Sequence, residues 1–260
     1  MSAELISPNS HIHENVKIGE NVRIGPWCTI GKNVTIGSDT ILESHVVIRA
    51  NTKIGEGNRI FQFTSIGEDP ADKKYSGEET WLEIGDQNIL REGVTAHRGT
   101  GFGGSVTKIG SNNLFMPYVH VAHDCFIGDN TVFANNVGIS GHVHVGDWAI
   151  LGGYAGVNQF LKIGAHAMVG GMTHITNDIP AFMIVSGRPA TVRSINAIGL
   201  ERRGFDKETI GDLREAFKII YKRKYSLQEA IDQLKAMREG NEALQLLVNS
   251  LESSEKGIHR

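Results

Sequence analysis

The sequence predicts a mainly β fold: a parallel β-helix wound from hexapeptide repeats, closed by a small C-terminal α-helical unit. Three observations predict it. A large apolar residue recurs every six positions, without a slip from Ile6 to Ile66 and again from Ile109 to Ile175. Four residues after it lies a smaller inward slot, filled by Val16, Val22, Cys28, Val34, Thr40, Val46 and Thr52. Beyond Pro180 the apolar spacing changes to three and four. An amphipathic helix repeats at three and four and a hairpin strand at two, so a period of six fits neither. Three short strands per coil, eighteen residues to a turn, does.

Taken in order, the first run ends at Ile66 and the next repeat residue is Ile84, with a polar stretch, Glu68–Trp81, between them. From Ala96 to Ile109 the spacing is thirteen, across the glycine-rich Arg98–Ser105. Both stretches read as loops, about 68–82 and 98–107, pushed out of the prism. Long loops on a rigid scaffold tend to carry function, although tolerated insertions at a solvent corner look the same. Thirty-one glycines against six prolines predict a backbone with many positive-φ corners, each made permissive by Gly, Asn or Asp. The β-helix is placed in residues 1–185 and the helical unit in 186–260. There Asp206 can cap a helix carrying Ile210, Leu213, Phe217, Ile220 and Tyr221. Ser226-Leu-Gln-Glu229 is a capping box opening a second, and a third runs from about Glu242 to Leu251. Such a unit caps an otherwise open prism end, which solenoids need.

The totals exclude several classes. A net charge of −3 with 21% charged residues argues against a nucleic-acid-coating surface. The opening Met-Ser-Ala-Glu-Leu-Ile lacks the basic and apolar regions of a leader, and no apolar run approaches membrane length. The expectation is a cytoplasmic protein with no membrane span. Cys28 and Cys125 occupy the small inward slot and read as buried thiols, not a disulfide.

Chemistry is expected where the repeat stacks histidines. Residues one coil apart superpose at about 4.8 Å. His123 lies eighteen residues before Gly141, and Asp124 eighteen before His142. His97 joins them, one coil below Ala122 once the second loop is subtracted. A neutral imidazole can take a proton from an attacking hydroxyl, and a backbone N–H can hold the oxyanion of a tetrahedral intermediate. That pair fits acyl transfer by direct attack of the acceptor. A lone His on a strand is more often scaffold; the registration singles out His123 and leaves His97, His120 and His142 divided between substrate contact and scaffold. His11, His13, His45, His166, His174 and His259 read as structural or exposed. Zinc is the competitor, through His120-x-x-His123 and His142-x-His144. Simple alternation puts His142 and His144 on one side of a strand but His120 and His123 on opposite sides, so no metal is expected.

The run Val121-Ala-His-Asp-Cys125, with Ser140-Gly-His142, Gln159-Phe160, Asn196, Arg202-Arg203 and Gly204-Phe205, resembles the acyl-ACP–UDP-N-acetylglucosamine O-acyltransferases, which begin lipid A synthesis in Gram-negative bacteria. The likeness spans the whole chain and both loops. It implies a left-handed winding, a homotrimer, and active sites in clefts between subunits. It implies His123 as general base toward the glucosamine 3-hydroxyl of UDP-N-acetylglucosamine, assisted by Asp124, with the Gly141 amide on the oxyanion. Asp72, Lys74, His97, His120, His142 and Gln159 match the family's sugar and phosphate contacts; Asn196, Arg202 and Arg203 match its nucleotide contacts. Gly171 aligns with its acyl-length ruler. The acyl donor would be a 3-hydroxyacyl thioester on the phosphopantetheine of acyl carrier protein, with no other cofactor. Two positions depart from the pattern: Asn158 stands where many members carry His, and Ala71 replaces a polar residue. Both bear on acceptor preference, including a 3-amino sugar. A related N-acyltransferase, an acetyl-CoA-dependent transferase, a zinc hydratase and a non-enzymatic solenoid are the competing readings. Lys218, Lys222, Arg223 and Lys224 offer an acidic carrier protein a basic cluster, or form a solvated helix face.

Overall fold

Because one large apolar residue per hexad must point inward, the chain folds as a three-faced prism of parallel two- to four-residue strands. A computed structural model describes residues 5–237 and 240–259. The first face stacks nine strands from His11–Ile12 to His174–Ile175, and the second eight from Lys17–Ile18 to Lys162–Ile163. The third stacks ten, beginning at Arg23–Ile24. The winding is left-handed. Partners lie eighteen residues apart, as Ile12 beside Ile30 and Val121 beside Ile139. At the loops the separation grows to 30 (Lys53 to Glu83) and 25 (Asn88 to Asn113), and the ladder continues with one register shift between Ile66 and Glu68.

Inside, the large slots form apolar columns. Ile30, Ile48, Ile66, Val121, Ile139 and Ile175 are essentially without solvent contact. Each such side chain stabilises the fold by roughly 1.5–3 kcal/mol relative to exposure. Phe115 and Phe133, one coil apart, stack with centroids 4.8 Å apart and planes 9° from parallel. The small slot also holds buried asparagines. The Asn58 side-chain oxygen accepts from the Asn88 backbone amide at 2.9 Å, and that of Asn88 from the Asn113 backbone amide at 2.9 Å, so these two oxygens are satisfied.

The corners correct the expected use of glycine. At most corners the residue three after the large apolar one takes φ near +60°, and it is Trp27, His45, Phe63 or another large residue as often as Gly, Asn or Asp. Gly57 and Gly93 do occupy such corners, but most repeat glycines lie directly after the apolar residue, where φ is positive only at Gly67. A Cβ on Gly37 would stand 2.4 Å from the Gly55 backbone, and one on Gly152 2.5 Å from Gly171 N. These glycines let one coil lie close on the next. Steric clearance, not torsion, selects them.

The top of the prism also differs from expectation. Met183–Ser186 joins the third face and pairs antiparallel with Thr191–Ile195, so a hairpin precedes the helices and the boundary expected at 185 falls inside its first strand. A short helix, α1 (Ala197–Arg202), follows it. Next come α2 (Lys207–Tyr221) capped by Asp206, α3 (Leu227–Ala236) with the Ser226–Glu229 capping box, and α4 (Glu242–Glu252) capped by Asn241. Among the described residues no helix is long and apolar enough to cross a membrane. Cys28 and Cys125 are buried, free thiols.

Candidate active site

Both loops leave the edge between the first and second faces, and the site lies on that edge directly above them. The first loop runs from Glu68 to Trp81, and the second from His97 to Val106, with a 3₁₀ turn at Gly101–Gly103. In the coils above, two columns of corner residues stack. His123, Gly141 and Gln159 form one, and Asp124, His142 and Phe160 the other. The rungs are tied by His142 N–H donating to His123 O at 3.0 Å and Phe160 N–H to Gly141 O at 3.1 Å.

Asp124 anchors the arrangement. It is buried, with φ +59°, and its carboxylate accepts from Thr100 N (2.8 Å), Thr100 Oγ1 (2.7 Å) and His123 Nδ1 (2.7 Å). Its own amide donates to Thr107 Oγ1 at 2.7 Å. A carboxylate accepts, so His123 Nδ1 donates to it, and in the neutral ring Nε2 then keeps its lone pair. That nitrogen faces Asp72 Oδ2 of the first loop at 3.9 Å. The imidazole also lies against Gly141, where a Cβ would meet His123 Cε1 at 2.6 Å. Gly141 is buried. Its N–H donates to nothing among the described residues, while its neighbours Ser140 and His142 both donate to the adjoining coil. Unpaired buried amides are rare. An imidazole with a free lone pair beside an unspent amide can move a proton and hold an oxyanion.

The other first-edge residues gather around this pair. His142 meets His123 edge-on at 5.1 Å and stacks on Phe160 at 4.5 Å, with Phe102 of the second loop 6.1 Å away. Burial lowers its pKa, against the pull of Asp124. His120 sits on the first face with Nδ1 2.8 Å from Thr95 Oγ1, edge-on to His97 at 4.9 Å. Burial and these neighbouring imidazoles push it down to about 4, so it is neutral at pH 7. Burial lowers His97 also. Lys74 is exposed, its Nζ 5.8 Å from the Phe102 ring, and Gln159 is exposed above Gly141. Asn158 Oδ1 lies 2.8 Å from His174 Nε2.

Four expected residues lie elsewhere in this chain. Gly171 is exposed on the edge between the third and first faces, where a Cβ would meet Gly153 O at 3.2 Å. Arg203 lies at the opposite edge, donating to His166 Nδ1 (3.0 Å) and Trp148 O (2.9 Å). His166 is no idle scaffold residue: it stacks between Trp148 and Phe182, and burial together with Arg203 pushes it down to about 4, leaving Nδ1 an acceptor. Asn196 is buried and already engaged, capping α1 at Gly199 N and donating to His166 O at 3.0 Å. With Arg202 it lines a cavity of about 860 Å³ between the third face and α2, rimmed by Arg214, Lys218 and Lys222. A groove of about 890 Å³ along the second face contains none of the expected site residues.

Among the described residues one trio, His123, Asp124 and His142, brings possible metal-ligand atoms within 4.8 Å of one another. Asp124 already accepts three hydrogen bonds, which leaves little of it for a cation. His144 is not part of the trio. The expected common side for His142 and His144 does not occur, because His142 occupies a corner and His144 stands on the second face against Phe126. Thr100 and Gly103 lie beyond the reach of the repeat, whereas Thr107 occupies an inward slot of the strand Val106–Ile109. Gly103 passes so close to Asp124 that a Cβ there would meet its carboxyl carbon at 2.2 Å, and loop residues carry no hexad register to reveal this.

The chain matches the family model for UDP N-acetylglucosamine O-acyltransferase, domain 2, over residues 178–259, and the bacterial transferase hexapeptide model over 5–32 and 107–141. It is 60% identical over 217 residues to an acyl-[acyl-carrier-protein]–UDP-N-acetylglucosamine O-acyltransferase of a Psychrobacter species, covering 83% of this chain and 84% of that one. It is 54% identical over 218 residues to the like-named protein of Saccharophagus degradans, covering 84% of each. The structure of LpxA from Acinetobacter baumannii superposes with a TM-score of 0.97 at 50% identity, over 99% of this chain and 100% of that one.

Proposed function

The chain belongs to the acyl-[acyl-carrier-protein]–UDP-N-acetylglucosamine O-acyltransferase family, and from that premise we propose how its residues carry the reaction. It transfers a 3-hydroxyacyl chain from acyl carrier protein to the glucosamine 3-hydroxyl of UDP-N-acetylglucosamine, the first step of lipid A synthesis. The observation that carries the mechanism is the His123 imidazole, fixed by Asp124 through Nδ1 and lying against the unspent Gly141 amide.

In this reading His123 Nε2 takes the proton of the 3-hydroxyl as its oxygen attacks the thioester carbonyl. The Gly141 N–H holds the oxyanion. Collapse breaks the C–S bond, the departing thiolate takes the proton from His123, and an ester and a free pantetheine thiol remain. Asp124 stabilises the imidazolium between the two steps, as a buried carboxylate on Nδ1 does. The balance needs no redox or metal group. Asp72, Lys74, His97, His120, His142 and Gln159 surround the acceptor sugar and its phosphates. Arg202, Arg203 and Asn196 serve the nucleotide and Gly171 the end of the acyl chain. Since these four lie on other edges of the prism from His123, the site is completed by neighbouring copies in a homotrimer. The basic rim of Arg214, Lys218 and Lys222 receives the acidic carrier protein, and the cytoplasm supplies both substrates.

The test incubates a mixture of 3-hydroxyacyl carrier proteins with UDP-N-acetylglucosamine and reads products by mass spectrometry. His123→Ala is expected to lower kcat by about 10²–10⁴-fold with the circular-dichroism β signal intact. Turnover near that of the unchanged protein would overturn the general-base role.

A further inference from the structure

Arg98, at the root of the second loop, is charged, buried and unused by the mechanism above. Only 9% of its side chain is exposed. Its Nη1 donates to Gly67 O at 2.8 Å and Ala50 O at 3.3 Å; its Nη2 donates to Tyr75 Oη at 3.1 Å and to the Asp69 carboxylate. Gly67 and Asp69 are the entrance of the first loop, and Tyr75 lies at its middle. A buried guanidinium is costly to desolvate, and four acceptors facing it from three separate segments are what hold it there.

We propose that Arg98 is a positioning residue for the acceptor sugar: it fixes the first loop against the prism and so holds Asp72 opposite His123. The relay is short. Tyr75 N–H donates to Asp72 O at 3.1 Å and Lys74 N–H to Asp72 Oδ1 at 2.8 Å, making Asp72 to Tyr75 one tight turn. Tyr75 Oη accepts from Arg98 and donates onward to Glu78 O at 3.0 Å. Glu78 completes the clasp from the far side, its carboxylate accepting from Gly101 N at 3.0 Å in the second loop and from Ser76 N at 2.9 Å in its own. The turn bearing Asp72 is thus held at both ends by the loop that, through Thr100, also holds Asp124. A lysine ammonium at 98 keeps the charge but lacks the planar fork that reaches Ala50, Gly67, Asp69 and Tyr75 together.

The inference rests on the acceptor-side reading of Asp72. Initial rates are measured on the full chain at saturating 3-hydroxyacyl carrier protein with UDP-N-acetylglucosamine varied, alongside thermal unfolding midpoints. Arg98→Lys is expected to raise the acceptor KM about tenfold and Tyr75→Phe about threefold, each with a smaller change in kcat. In an Asp72→Ala background the same changes should add less than about twofold, because the contact they set is already gone. If Arg98→Lys fails to fold, Tyr75→Phe alone carries the test, since it leaves the guanidinium in place. Full multiplicative effects beside Asp72→Ala, or a lowered midpoint with unchanged KM, would overturn the proposal. An acceptor KM unchanged by Asp72→Ala alone would instead overturn the reading beneath it, whatever Arg98 does.

Discussion

Two edges of the prism treat the same backbone group in opposite ways. On the edge between the second and third faces, the amide two residues after the large apolar slot is capped by a side chain from the coil above. Glu56 N donates to Asp86 Oδ1 at 2.7 Å, Asp86 N to Ser111 Oγ at 2.9 Å, Ser111 N to Asp129 Oδ1 at 2.6 Å, and Asp129 N to Asp147 Oδ1 at 2.8 Å. On the catalytic edge the equivalent positions above the loops are His123, Gly141 and Gln159. Gly141 has no side chain to offer His123, and Gln159 donates or accepts no hydrogen bond among the described residues. One edge spends its spare amides on stability; the other leaves free the one proposed to hold the oxyanion. The same winding yields a strut or a site according to which side chain stands one rung up.

The sharpest way to break that contrast is to transplant the cap. Gln159→Asp places a carboxylate above Gly141 N–H as Asp147 stands above Asp129. It should cost about 10²-fold in kcat, the scale of losing one oxyanion donor, with little change in unfolding midpoint. An unaltered kcat would mean the amide at 141 is not the donor. The reciprocal change, Asp147→Ala, uncaps Asp129 N–H far from the chemistry. It should lower stability by about 1 kcal/mol, roughly 2–4 °C in midpoint, and leave kcat unchanged.

The smallest effect concerns protons. His166, on the capped edge, and His120, beside the site, are both pushed down to about 4 by burial. An unfolded histidine titrates near 6.5. Between pH 6.5 and about 4 the unfolded chain therefore holds more protons, so the stability present above 6.5 is lost on acidification. His166→Phe keeps the stack on Trp148 and Phe182 and should flatten the midpoint's fall between pH 6.5 and 4.5. A slope as steep as that of the unchanged protein would assign the loss to other groups.

Much of this was legible in the sequence because a period of eighteen converts spacing into adjacency. His123 beside Gly141 and Asp124 beside His142 follow by counting, and so does the placement of both loops on one edge. Counting fails where the chain leaves the repeat. Arg98 reaches Ala50 across 48 residues, and Thr100 reaches Asp124 across 24 through a loop with no register. The hairpin at Met183–Ser186 and Thr191–Ile195 was hidden because its strands are too short for a distinct period, although Met183 and Val185 do alternate inward. Composition alone cannot separate the glycines that supply torsion, Gly57 and Gly93, from those that supply clearance.

The corners accept tryptophan, histidine, phenylalanine, aspartate and asparagine at nearly one torsion, φ 64° at Trp27, 59° at His45, 65° at Phe63, 59° at Asp124 and 57° at Asn33. The glycines that directly follow the apolar residues leave no room for a Cβ without a shift. Variation is thus channelled: the scaffold forbids novelty along most of its length and leaves it free at three vertical seams. An imidazole or carboxylate introduced on a seam inherits a location the repeat already defines, without any new backbone having to be invented.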